Sequence, residues 1–308
     1  DEADALLFGS DTLPPAEPMQ LKSLYHPSSG YAVMNSTDTQ RQLILKYGPH
    51  GGGHGHADKL ALVLWAYGQR LSPDLGTPGY GIPMNNSWYR HTLSHNTILL
   101  DGMPQVPEAG QLNRFDVKDD VTIVEATVNF NDTDDVIWEG VQLRRVILWK
   151  DEYFIDIVIV ESPQTRQIDL AWHHTGTFTS EIEITPEKAF DQTGYSHLKN
   201  IRSSKAIEWQ ANWNNPNTGI WLLNPQDTTT YIADAPGNPT NEVISFLLRR
   251  VRAKDTAFFS VIEPFDEQAV IENIQWEQQG TRLNLLIEGE NMSDHWEIDY
   301  QSGTYELL

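Results

Sequence analysis

The 308-residue chain predicts an all-β fold, a large antiparallel sandwich followed by a smaller C-terminal sheet. Two observations point there. Short apolar runs recur along the chain and are separated by turn-forming residues, and amphipathic helical periodicity is absent from the stretches between them. Residues 1–25 read as a linker, because Pro14, Pro15 and Pro18 block regular structure. We therefore expect the chain to be one part of a longer protein. Tyr31–Asn35 and Gln42–Tyr47 read as short strands. Leu60–Tyr67 is apolar on both faces and reads as a strand buried on two sides, turning at Gly68-Gln69 into Arg70–Asp74. Asn96–Leu100 and Val121–Asn129 follow, and Gln142–Trp149 with Tyr153–Glu161 form an expected hairpin. Ile168–His174, Gly219–Leu223, Val243–Arg250 and Thr256–Pro264 continue the pattern, and Leu283–Glu288 with His295–Tyr300 close it. A break at Asp234–Asn241, DAPGNPTN, divides the expected sandwich (26–235) from the small sheet (236–308).

Composition excludes several function classes. With 21 basic and 43 acidic residues the formal charge is −22, which argues against nucleic-acid binding, since little basic surface would release counterions from a phosphate backbone. An anionic ligand would need a local basic pocket working against that field. No apolar run reaches the ~20 residues needed to span a bilayer. Cysteine is absent, which leaves His, Asp and Glu as the strong metal ligands and fits a periplasmic or secreted bacterial protein.

The stretch Lys46–Asp101 carries the chemistry. It holds His50, His54, His56, His91 and His95, five of the ten histidines in the chain, together with Asp58, Asp74, Tyr80, Tyr89 and Arg90. In an extended backbone His54 and His56 would share a face, with Asp74 at the end of the returning strand and His95 opening the next. Two neutral imidazoles and a carboxylate from such a set suit Zn²⁺. The alternative is that these histidines only hydrogen-bond loops around a rigid turn. Tyr80, within Gly79-Tyr80-Gly81, is expected on an open loop, where functional residues concentrate. Arg90 could grip a carboxylate with two donors or serve in a structural ion pair. Of the His173-His174 pair at most one should face a site, since neighbours on a strand point to opposite sides.

The segment GGGHGHADKLALVLWAYGQRLSPDLGTPGYG followed by NNSWYRHTLSHNTILLDG resembles the heparinase II/III-like superfamily of polysaccharide lyases, and within it the exolytic oligoalginate lyase branch. The resemblance implies an N-terminal (α/α) toroid of helices, absent from this chain, packed against the sandwich as a partner domain. It implies zinc on His56, Asp74 and His95, and catalytic roles for His54, Tyr80 and Arg90. His50, Tyr89 and His173 are expected to contact substrate. The implied reaction is β-elimination at a uronic acid of an anionic polysaccharide, with alginate oligosaccharides foremost and glycosaminoglycans as the alternative. It requires neutralising the carboxylate, removing the C5 proton and protonating O4. An ordinary tyrosine, titrating near 10, is a poor base unless cations lower it, so His54, Tyr80 and a group of the helical domain all stand as candidates. Two readings from other classes stay open: a zinc-dependent hydrolase, and a β-sandwich that binds a glycan without acting on it.

Overall fold

The computed structural model describes residues 21–118, 120–180, 182–214, 216–224 and 227–308. Three antiparallel sheets follow one another along the chain. The first is a five-stranded meander, β1 (Leu24–His26), β2 (Tyr31–Asn35), β3 (Arg41–Lys46), β4 (Ala61–Ala66) and β5 (Gln69–Ser72). The second has twelve strands: β6 (Ile98–Leu100), β7 (Gly110–Lys118), β8 (Val121–Phe130), β9 (Val141–Trp149), β10 (Phe154–His174), β11 (Thr177–Thr179), β12 (Thr185–Pro186), β13 (Lys199–Ser204), β14 (Glu208–Asn214), β15 (Thr218–Leu223), β16 (Thr229–Pro236) and β17 (Val243–Pro264). The third is a four-stranded meander of β18 (Ile271–Gln279), β19 (Arg282–Gly289), β20 (Met292–Asp299) and β21 (Thr304–Leu307). No helix among the described residues is long and apolar enough to cross a membrane.

The expected all-β architecture is present, with one departure in how the long strands run. Ile168–His174 and Tyr153–Glu161 belong to one continuous strand, β10, and Val243–Arg250 and Thr256–Pro264 to another, β17. The two pair along almost their whole length, with an irregularity between Glu161 and Arg166. Polar residues and Pro163 at that irregularity, and exposed Arg252, Lys254 and Asp255 on β17, interrupt the apolar pattern without interrupting the strands. Each strand thereby serves two neighbourhoods. The first half of β10 pairs with β9, and its second half with β6, which leads out of the histidine-rich segment.

Packing explains the patterning. Met34, Leu43, Leu45, Leu62 and Leu64 of the first sheet meet Val124, Val128, Leu143, Ile147 and Val158 of the second in the main core. The opposite face of the second sheet buries Val146, Leu148, Ile155, Ile157, Phe259 and Val261 against Ile274, Leu283, Leu285 and Trp296 of the third. The stretches of β9, β10 and β17 that carry these residues are therefore sealed on both faces, which is why apolar residues there follow one another without alternation. β4, expected to be buried on two sides, is not. Its second face carries Trp65, which is 39% exposed and lies under the Arg70 guanidinium at 5.8 Å from the ring centre. An indole can be half-wet where a cation covers its face.

The break expected at 234–241 is a turn inside the second sheet, joining β16 to β17. Its Pro, Gly and Asn residues serve that turn. Gly237 N–H donates to Glu242 O, and Asn238 Nδ2 donates to Leu75 O at 2.6 Å, tying it to the segment that carries Asp74. The small sheet begins instead at Ile271. Within the expected linker, 1–25, residues 1–20 lie outside the described residues and Leu24–Tyr25 already belong to β1.

Arg145, on β9 and fully buried, connects this frame to the histidine-rich loops. Its Nε and Nη2 donate to the two oxygens of Asp156 at 2.7 and 2.6 Å, and its Nη1 donates to Leu60 O at 2.7 Å and Asn96 O at 2.6 Å. Asn96 in turn donates to Leu62 O at 2.8 Å and accepts from the His173 amide at 2.6 Å. Removing one member of such a buried pair typically costs about 3–5 kcal/mol, because the other charge is left unpaired.

Two histidines at the end of β10 are buried and neutral. His174 stacks on Trp213, 4.6 Å between ring centres, and its Nδ1 donates to the Thr175 carbonyl. Burial pushes its pKa down to about 4, and that of His173 down to about 3. A histidine whose folded pKa lies below its unfolded value of about 6.5 takes its proton only when unfolded. Stability therefore rises with pH, and is lost as pH falls from about 6.5 towards the folded value. For His174 this amounts to about 2 kcal/mol between about pH 7 and pH 5. Urea unfolding of His174→Phe should show a pH dependence flatter by that amount; a slope identical to that of the unaltered chain would contradict the assignment.

Candidate active site

Two groups of side chains occur in the histidine-rich segment, one exposed and one partly buried. The exposed group rests on a short 3₁₀ turn, Gly52–His54, entered through Gly51. The Gly52 φ of +59° is a left-handed conformation that suits glycine. A side chain at Gly55 is excluded, since a Cβ there would lie 2.8 Å from His50 Nε2. His54 ends the turn, exposed, with its Nδ1 2.7 Å from the Tyr80 hydroxyl. The two rings meet edge to face, with centres 5.8 Å apart. Tyr80 is 68% exposed, on the open loop expected from Gly79-Tyr80-Gly81. Arg90 reaches the same loop, its Nη2 donating to Gly55 O at 3.1 Å.

The second group is His56, Asp74 and His95, whose ligand atoms lie within 4.8 Å of one another. His95 is buried, and both of its ring nitrogens lack a hydrogen-bond partner among the described residues. Its Nδ1 lies 3.7 Å from Asp74 Oδ2, on a carboxylate 35% exposed. The His56 ring is tilted against His95 with centres 5.2 Å apart. Burial and the neighbouring His95 hold His56 below the ordinary imidazole value, which leaves it neutral. Burial pushes Asp74 up, but His95, the Gly76 amide, Lys46 and His56 outweigh it and hold the carboxyl below its ordinary range. Two imidazoles and an ionised carboxylate, with two buried nitrogens otherwise unsatisfied, form a donor set that fits Zn²⁺.

The geometry corrects parts of the sequence reading. His54 and His56 do not share a face of an extended strand; the 3₁₀ turn and Gly55 separate them, so that one faces Tyr80 and the other His95. Asp74 lies two residues beyond the end of β5, and His95 caps a 3₁₀ turn, Thr92–Ser94, rather than opening a strand. Tyr89, expected to touch substrate, is fully buried and its hydroxyl donates to the Gly237 carbonyl. His173, expected in the same role, is fully buried between Trp88 and Phe246, 3.1 Å from Asn96 Oδ1. Both are held by packing: Tyr89 at the end of the helical turn Asn85–Tyr89, and His173 on β10, where alternation cannot distinguish an inner face from a site. His50 is half-buried with its Nδ1 unpartnered among the described residues, beneath the turn that bears His54.

Neighbours with no expected role also shape the site. Lys46 on β3 pairs with buried Asp58, and Lys59 Nζ lies 3.6 Å from the other Asp58 oxygen. Their signal in the sequence is the ADK that follows HGH. His91 is buried and its Nδ1 accepts from the Leu93 amide at 3.1 Å; burial and the nearby His95 and His197 push its pKa down to about 4.

Residues 18–277 match the family described as heparinase II/III-like, C-terminal. Two curated relatives are an alginate lyase of Stenotrophomonas maltophilia, 26% identical over 285 residues covering 77% of this chain and 36% of the relative, and an exo-oligoalginate lyase of Saccharophagus degradans, 22% identical over 270 residues covering 72% and 35%. The chain thus spans about a third of the length of these relatives. Among solved structures, a heparan sulfate lyase from Pedobacter heparinus superposes with a TM-score of 0.67 at 18% identity, covering 92% of this chain and 43% of that one. A heparinase III superposes with a TM-score of 0.65 at 15% identity, covering 94% and 42%. At such identities the structures attest the shared sandwich alone. With the family match running over most of its residues, the chain belongs to the heparinase II/III-like family, as its C-terminal part.

Proposed function

We propose that this chain is the sandwich part of a polysaccharide lyase that cleaves uronic-acid-containing chains by β-elimination, acting exolytically on alginate oligosaccharides. The observation that carries the proposal is the hydrogen-bonded and exposed His54–Tyr80 pair, formed between two loops, the first of which Arg90 braces at Gly55 O. Family membership and the two alginate-lyase relatives support it. The pair suits proton traffic in either direction. With Nδ1 unprotonated, His54 accepts the phenol proton and gives Tyr80 basic character towards the C5–H; with Nδ1 protonated, it returns a proton through the phenol towards the departing O4. Arg90 spends one N–H on Gly55 and keeps further donors for the uronate carboxylate. Carboxylate neutralisation makes C5–H more acidic, and groups of an N-terminal helical domain would complete it. A polymeric substrate accords with a periplasmic or secreted location.

His56, Asp74 and His95 would hold zinc in this reading. The metal would supply a fixed positive centre that ties three loops together beside the acid–base pair. What the chain itself contributes is the imidazoles of His56 and His95 and the ionised carboxylate of Asp74, drawn from three separate segments. Elemental analysis of the purified protein should give about one zinc per chain, falling to background in His95→Ala. Metal content unaffected by that substitution would refute the assignment.

The reaction is tested by ultraviolet absorbance of 4,5-unsaturated uronate, using the natural full-length protein on alginate oligomers, heparan sulfate and chondroitin. Signal on alginate oligomers is expected, with kcat reduced about 10²- to 10⁴-fold in His54→Ala and Tyr80→Phe. Signal on sulfated glycans alone would move the substrate to glycosaminoglycans. Absence of unsaturated product from all three, or full activity in both variants, would overturn the proposal.

A further inference from the structure

The loop that presents His54 has no apolar anchor. None of residues 49–54 is buried, so core packing does not fix its position. Among the described residues, two side-chain hydrogen bonds reach it: the one between Tyr80 and His54, which is part of the chemistry, and one from Lys59 Nζ to the Pro49 carbonyl at 3.3 Å. Lys59 is itself buried and immobile. Its amide donates to Gln105 Oε1 at 2.8 Å, and its carbonyl accepts from Thr97 Oγ1 at 2.6 Å and Gln105 Nε2 at 3.2 Å. The ammonium is balanced by Asp58, whose other oxygen is held by Lys46. The far limb of the loop is tethered separately, Gly55 O by Arg90 and Ala57 O by Thr92 Oγ1 at 2.6 Å.

We infer that Lys59 is the positioning residue for His54: its side chain folds back beneath the loop and fastens the entering limb to the point where the leaving limb joins β4. A buried lysine is an expensive way to fill space, since burying an ammonium costs free energy that an apolar chain of similar length avoids. Its geometric return is a donor delivered to Pro49 from a backbone held at three points. A turn of glycines has high conformational freedom, so loss of that one donor should let the turn drift. A displacement of about 1 Å at a reacting group can reduce turnover about a hundredfold.

The inference rests on the lyase reading for its kinetic consequence but not for its structural one, and the experiment separates them. Amide hydrogen exchange across 50–57 would be compared in the natural full-length protein and in Lys59→Met, which keeps the unbranched chain as far as Cε and removes the donor. Exchange there should rise about tenfold, the scale of one net hydrogen bond, with the remaining sheets and the thermal midpoint unchanged. Turnover should fall about 10- to 100-fold in kcat with KM within about twofold. Lys59→Gln, uncharged and with its amide donor one bond short of the position of Nζ, should give the same loop-restricted change and stands in if the Met variant does not fold. Loop exchange and kcat both unchanged would overturn the inference. So would a general rise in exchange across all three sheets with kcat per folded molecule unchanged, which is a purely structural role. If no unsaturated product forms even in the unaltered protein, the lyase reading fails while the loop exchange still decides the role of Lys59.

Discussion

Arg145 is the contact on which the arrangement of the site depends. One guanidinium, buried between the sheets, takes both oxygens of Asp156 on the neighbouring strand and both Leu60 O and Asn96 O from the loops. Leu60 directly follows the Asp58-Lys59 pair and Asn96 directly follows His95. The histidines of two separate segments are thus referred to a single rigid point in the sheet. A planar fork with five donors can do this, whereas a lysine at the same place could not keep the bidentate grip. The long strand β10 adds a second reference, because Asn96 also accepts from the His173 amide on its far half.

From that fixed frame the site divides its work by burial. His56, Asp74 and His95 come together from three segments around buried His95, whose ring nitrogens have no hydrogen-bond partner among the described residues. His54 and Tyr80 are held outwards, exposed on glycine-rich loops. The buried neutral histidines His91, His173 and His174 serve packing and leave the chain sensitive to acid. Abundance of histidine in this segment therefore reflects three different tasks.

Much of this was legible in the sequence. Alternation and unbroken apolar runs identify most strands because burial on one or two faces leaves a direct periodic trace. The grouping of His56, Asp74 and His95 and the exposure of Tyr80 follow from residue type, glycine context and resemblance. What failed was what depends on three-dimensional partners. β10 and β17 read as two strands each, since polar residues at a bend look like a turn when the neighbouring strand is unseen. The DAPGNPTN stretch has linker composition, yet its turn is held by Asn238 on Leu75. Tyr89 and His173 were assigned to substrate because a polar aromatic in a core carries the same letter as one in a cleft. Arg145 carries no local signal at all, because its three partner residues, Leu60, Asn96 and Asp156, come from three separate places in the chain.

The central claim is elimination rather than hydrolysis, and the most direct test is the origin of oxygen in the products. Digestion of alginate oligomers by the natural full-length protein in heavy-oxygen water, followed by mass spectrometry of both fragments, distinguishes the two. Elimination breaks the C4–O4 bond and leaves O4 on the departing sugar, so neither fragment acquires heavy oxygen through the cleavage and one is lighter by a water. With exchange at the new reducing end corrected by incubating the isolated products in the same water, that is the expected result. Two saturated fragments whose masses sum to the parent plus one water would show that water was the nucleophile, and would contradict the account.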